Sequence, residues 1–180
     1  SENAVQGTNN VGHTFIRLQY YKKDANGKIT KIVKYIGFYP KERLNADSVA
    51  AHQDQAGYIG DDSNHSWSIA KVYEISPEQV QAVFDYVDNY KNDYNVITNN
   101  CTTFAVGALE AAGIESSISE QQWKMPFYIK VYAFFKGVKL KDFKGYNPAN
   151  AGEYLRKGTA GVDYLTNTTK GKNGPKKTNK

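Results

Sequence analysis

A single cysteine among 180 residues excludes an internal disulfide. It leaves the redox compartment unread and makes the surroundings of that one thiol decisive, because a lone cysteine is most often a small buried hydrophobe. No apolar run approaches the ~18 residues needed to cross a bilayer. Residues 1–10 are polar and lack the apolar centre of a signal peptide. With no His-x-x-x-His pair and no second cysteine, closely spaced metal ligands are missing, and neither a metal nor a cofactor is expected. Gly57 and Gly60 are too sparse to form a phosphate-cradling loop. Acid is absent from residues 166–180, whose five lysines account for the whole net charge of +5.

The remaining chain is therefore close to neutral, and the high isoelectric point says little about any active surface. Residues 166–180 read as a basic, disordered tail, with a weak anchor for an anionic polymer as the alternative. The lysines are not interleaved with stacking aromatics on a sheet, so no nucleic-acid partner is expected.

What is present is globular. Aromatic residues make up 13%, with 14 tyrosines, and charged residues 23%. That suits one domain over residues 1–165 followed by the tail. Residues 12–22 read as a strand rich in β-branched and aromatic side chains, Asp24-Ala25-Asn26-Gly27 as a turn, and residues 29–39 as a second strand stopped by Pro40. Residues 41–66 read as a polar loop with a short helix, and residues 67–75 as a third strand. Ser76-Pro77-Glu78-Gln79 is a capping box with proline at the first helical position. Val80, Val83, Phe84 and Val87 follow at helical spacing, to an end near Lys91. A second helix spans residues 101–112, capped by Asn99 or Asn100 and stopped by Gly113. Further helices are expected over 127–136 and 148–157.

Cys101 thus falls in the first turn of a helix. Free N–H groups and the helix dipole there favour an anion such as a thiolate, and the same N–H groups suit an oxyanion. A thiol nucleophile also needs a base. Three histidines are available. His13 opens the first strand, where the backbone holds it. His52 sits in a polar segment and reads as a surface residue. His65 closes Gly60-Asp61-Asp62-Ser63-Asn64-His65.

Gly12-His13-Thr14-Phe15-Ile16 on a first strand, then Tyr94-Asn95 and Asn100-Cys101-Thr102-Thr103-Phe104-Ala105 opening a helix, resemble the permuted NlpC/P60 superfamily, which includes relatives of lecithin:retinol acyltransferase. In the permuted order the histidine strand precedes the cysteine helix, as here. Gly37-Phe38-Tyr39-Pro40, Asp61-Asp62-Ser63-Asn64-His65 and the Asn-Cys-Thr-Thr-Phe motif are also similar to C-terminal domains of bacterial secreted and polymorphic-toxin proteins. The resemblance covers residues 11–114. It implies an α+β, papain-like fold with an antiparallel sheet packed on the helix that starts at the nucleophile. It implies Cys101 as nucleophile, His13 as general base, and the Cys101 N–H in the oxyanion hole. Asn100 is either an oxyanion donor or a helix cap, the second being favoured.

A third polar residue should orient the His13 ring. The second strand offers only Tyr35 and Tyr39, so the expected source is Asp61, Asp62 or His65, with His65 favoured and Asp62 next. The alternative is a turn of solvated charges.

Three functions compete. The first is a thiol amidase or peptidase acting on bacterial cell wall peptides. It would be a secreted or envelope-directed protein, with a cognate inhibitor or immunity protein as a further partner. The second is a lipid-directed acyltransferase or thioesterase that contacts a membrane through residues 125–135. The third is a binding or effector module with an inert Cys101.

Overall fold

Strands β1 (Phe15–Lys23) and β2 (Ile29–Pro40) form the expected antiparallel hairpin, in a register that sets Phe15 opposite Gly37 and Lys23 opposite Ile29. Its turn is held by Asp24, whose Oδ1 accepts from the backbone N–H groups of Asn26 and Lys28, each at 2.9 Å. The computed structural model describes residues 12–44, 53–65, 67, 69–123, 127–137, 140, 143–156, 164–165 and 176–177. His52 lies outside the described residues.

The polar stretch expected to be a loop contains a strand. β3 (Gln55–Asp61) pairs antiparallel with β2, placing Gly60 opposite Gly37 and Asp61 opposite Ile36. Gly57 and Gly60 read as breakers in sequence, yet here they sit inside a ladder. Pairing with β2 satisfies the strand's backbone, and a residue without a side chain lets neighbouring groups close in. The third strand expected over 67–75 shrinks to β4 (Ala70–Lys71). It does not join the hairpin. Its partner is β8 (Tyr164–Leu165).

The main sheet runs β1-β2-β3-β5, with β5 (Asp93–Tyr94) beside β3. The tail, expected to lack structure, contributes one short strand. β9 (Lys176–Lys177) pairs with Gly60 and Asp61 of β3.

Helix α1 (Pro77–Asp88) begins with the capping box read from sequence: Ser76 Oγ accepts from the Gln79 N–H at 3.3 Å, and Gln79 Oε1 accepts from the Ser76 N–H at 2.9 Å. Helix α2 (Cys101–Ala111) follows, capped by Asn100. A short hairpin of β6 (Gln121–Trp123) and β7 (Phe143–Gly145) brackets helix α3 (Phe127–Phe135), and helix α4 (Pro148–Arg156) comes after it.

One face of the sheet buries Leu18, Ile36 and Phe38 against Val83 and Val87 of α1 and Phe104 and Ala108 of α2. Phe38 and Phe104 are wholly buried, with ring centroids 6.1 Å apart. Val106, on another face of α2, packs with Ile118 and with Ala151 of α4. Helix α2 is therefore covered on several sides, which explains a sequence that is apolar or small almost all round. At Gly107 a Cβ would run into the Tyr86 hydroxyl, which donates to the Phe104 carbonyl at 3.1 Å. The absence of that atom lets α1 and α2 approach. The architecture is α+β: an antiparallel sheet carrying a central helix that starts at the cysteine.

Candidate active site

The loop before α2 is a rigid pedestal for Cys101. Asn95 and Asn99 exchange both backbone hydrogen bonds at 3.0 Å. Asn95 Oδ1 accepts from the N–H groups of Ile97 and Thr98 at 3.0 and 3.1 Å, and Asn95 Nδ2 donates to Asp54 Oδ1 at 2.7 Å. Asn100 is wholly buried. Its Oδ1 accepts from the N–H groups of Thr102 and Thr103 at 2.8 and 3.2 Å, and its Nδ2 donates to the carbonyls of Val96 and Tyr146 at 2.9 and 2.8 Å. Both amide hydrogens are thus committed, which makes Asn100 a cap and leaves its side chain no donor for an oxyanion. The Cys101 N–H stands at the first helical position, where no intrahelical acceptor exists.

His13 lies two residues ahead of β1, not within it as expected. The contact between this segment and α2 is fixed one residue along in each element, where Thr14 Oγ1 and Thr102 Oγ1 share a hydrogen bond of 2.9 Å. That bond sets His13 beside Cys101, close enough for the two to influence each other's charge. Cys101 is 3% exposed, so the imidazole, with about 24% of its side chain accessible, is the partner that meets solvent.

The third residue comes from the end of β3. Asp62 Oδ2 accepts from His13 Nε2 at 3.1 Å, so the ring's other nitrogen, Nδ1, is not the one on the carboxylate. Asp62 is fully buried, and its own N–H is tied to the Tyr35 carbonyl at 3.1 Å. Its other oxygen, Oδ1, accepts from the Tyr39 hydroxyl and lies 2.5 Å from His65 Nδ1. The sequence reading favoured His65 over Asp62 as the group on His13. The structure reverses that order: Asp62 touches His13, and His65 touches Asp62. Asp61 faces away, accepting from the Ser63 N–H and hydroxyl.

Two contributors went unassigned in the sequence. Tyr39 was set aside because it is not His, Asn or Asp, yet its hydroxyl holds Asp62 and its ring lies 4.4 Å, centroid to centroid, from that of His13. Gly37 is the second. A Cβ there would collide with Asp62 Oδ2 and stand 2.9 Å from His13 Nε2, so the meeting of these side chains needs a residue without one. Both belong to the Gly-Phe-Tyr-Pro run noted in the sequence, but only the register of β2 against β1 and β3 shows what they do.

The charges follow from this packing. Burial works against a charged His13, but its contacts with Asp62 and Cys101 outweigh it, raising His13 from 6.5 to about 9. Burial also works against the Asp62 carboxylate. Hydrogen bonds from His13 and Tyr39, with the charges of His13 and His65, overcome it and hold Asp62 below the ordinary carboxylate range. Tyr39 is pushed far up by burial and by its bond to Asp62, so it stays a donor.

His13, Asp62 and His65 also offer ligand atoms that all lie within 4.8 Å of one another, a set able to hold a metal ion. No close spacing marks this set in the sequence, because His13 stands 49 residues from Asp62. These atoms already pair among themselves, and the carboxylate is satisfied on both oxygens. Beside them Phe15, Tyr35 and Trp67 form an aromatic wall, with Phe15 stacked 5.9 Å from His13 and Trp67 6.3 Å from Phe15.

The arrangement brings together a thiol at a helix N-terminus, an imidazole on it, and a buried carboxylate behind the imidazole. No family model matches this chain, and no curated protein or solved structure matches it.

Proposed function

We propose that this protein is a cysteine-dependent hydrolase of the amidase or peptidase class, on a papain-like permuted NlpC/P60 fold. The observation that carries the reading is His13, bonded to the buried Asp62 and set beside Cys101 by the Thr14–Thr102 hydrogen bond. Nucleophile, base and orienting group in contact are what acyl transfer by a thiol needs.

In this reading His13 holds the proton that Cys101 gives up, as its raised pKa allows, and the sulfur attacks the carbonyl carbon. The oxyanion that forms faces the N–H of Cys101, since those of Thr102 and Thr103 donate to Asn100. The protonated His13 then gives its proton to the leaving amine as the C–N bond breaks, and an acyl-thioester remains. Water, deprotonated by His13, attacks the thioester, releasing the acid and restoring the thiol. Asp62 stabilises the imidazolium and fixes which ring nitrogen faces sulfur. Cell wall peptides are the substrate class that the sequence resemblance suggests. A lipid-directed acyl transfer is the second reading, favoured by the exposed phenylalanines of α3.

The deciding experiment incubates the protein and its Cys101→Ala variant with peptidoglycan stem peptides and, separately, with lipid esters. Amine release from the peptides by the parent alone supports the amidase. Turnover of the esters alone moves the assignment to the second reading. Inertness toward both, together with a thiol that iodoacetamide labels only after denaturation, would sink the enzyme altogether.

A further inference from the structure

Helix α3 has two apolar faces, and the protein body uses one of them. With about 100° between successive residues, Ile129 and Ala133 fall together, buried against Ile97 with Val96, Tyr132 and Leu140 alongside. Phe127, Val131, Phe134 and Phe135 fall within about 100° of arc on the other side. Their exposures are 81, 36, 80 and 81%. Single apolar residues on a surface are ordinary, but a continuous stripe with three protruding phenylalanines is not.

The stripe has positive charge at its border. Lys130 borders it and is exposed, while Lys136, exposed just past the helix, has its ammonium 5.8 Å from the Tyr132 ring on the side of the inner face. The helix itself has no acid. Across residues 121–152 the sequence holds six lysines against one aspartate.

We propose that this face of α3 docks on an anionic lipid bilayer. Rings that stand out from the surface, rather than line a groove, suit insertion at the boundary between headgroups and acyl chains. The lysines suit anionic headgroups. At nine residues the helix is about 13.5 Å long, under half a bilayer core, so it lies along the interface. None of the helices, among the described residues, is long and apolar enough to cross. The inner face of α3 packs on Ile97, four residues before Cys101, so docking here would bring the pedestal of the thiol to the membrane. The inference does not depend on the chemistry proposed for Cys101.

The test is co-sedimentation of the full chain with phosphatidylcholine vesicles, with and without phosphatidylglycerol. The parent should bind the vesicles containing phosphatidylglycerol, and less so as salt rises. The double variant Phe134→Ser/Phe135→Ser should bind about ten-fold or more weakly with an unchanged thermal melt, because those side chains are exposed. Cys101→Ala should bind like the parent, so a failed hydrolase assignment leaves this result untouched. A parent that does not bind overturns the proposal. So does a double variant that binds as well as the parent, since lysines elsewhere would then carry the attraction. A parent that is dimeric in solution and made monomeric by the same variant also overturns it, because a second copy would own the face.

Discussion

A Cβ atom on Gly37 would stand 2.9 Å from His13 Nε2, inside the space where His13 reaches Asp62. Gly37→Ala should therefore push the imidazole off the carboxylate. Turnover should fall about 10²-fold, the scale set by displacing a catalytic group by an ångström. The overpacking should cost about 1–3 kcal/mol in urea unfolding. Full activity in this variant would mean that the two side chains do not meet as described.

Asp62→Asn should lower turnover by about 10³–10⁴-fold, because an amide can neither stabilise an imidazolium nor fix the tautomer of its neighbour. Tyr39→Phe tests the support one bond further out. It removes one donor from Asp62 Oδ1 while keeping the ring against His13. Its expected signature is a shift in the His13 titration, read by NMR, with the melting temperature little changed. A purely structural role would move only the melting temperature.

Stability should depend on pH through the same contacts. His13 is raised in the folded protein, so its contribution is complete below the ordinary value of 6.5 and is lost as pH climbs through about 9. Asp62 is lowered, so its contribution is complete above the ordinary 3.8 and is lost as pH falls through its lower folded value. The melting temperature should decline between pH 6.5 and 9 in the parent. His13→Ala should remove that decline, and a variant that keeps it would place its origin elsewhere.

Asn100→Ala removes two accepted and two donated hydrogen bonds at a buried site. It should cost about 2 kcal/mol or more, above the usual value of a lost cap, because carbonyls and N–H groups are orphaned inside the protein. Iodoacetamide labelling of Cys101 at neutral pH should change in rate as well, since this cap holds the turn that presents the thiol.

The helices were legible where local chemistry decides. Ser76, Pro77 and Gln79 marked one start, Asn100 and Gly113 bounded another, and both followed without knowledge of the rest of the chain. Strand β3 was hidden because its stability comes from β2 and not from its own residues: Gly57 and Gly60 argue against a strand until the partner is known. The site divided the same way. Cys101 showed itself through its helix and His13 through its motif. The choice between Asp62 and His65 rested on which of two residues three positions apart leans toward β1, and spacing along the chain does not encode that. Residue type does not mark Tyr39, whose part depends on the register of β2.

His13 and the groups bonded around it, Tyr39, Asp62 and His65, all lie before residue 66, while the sulfur lies after residue 100. Each half of the chemistry is thus written in one uninterrupted stretch, and the halves meet where α2 lies on β1 and β2. Chain order is then a matter of wiring: a circular permutation that exchanged the two stretches would preserve every contact in the site.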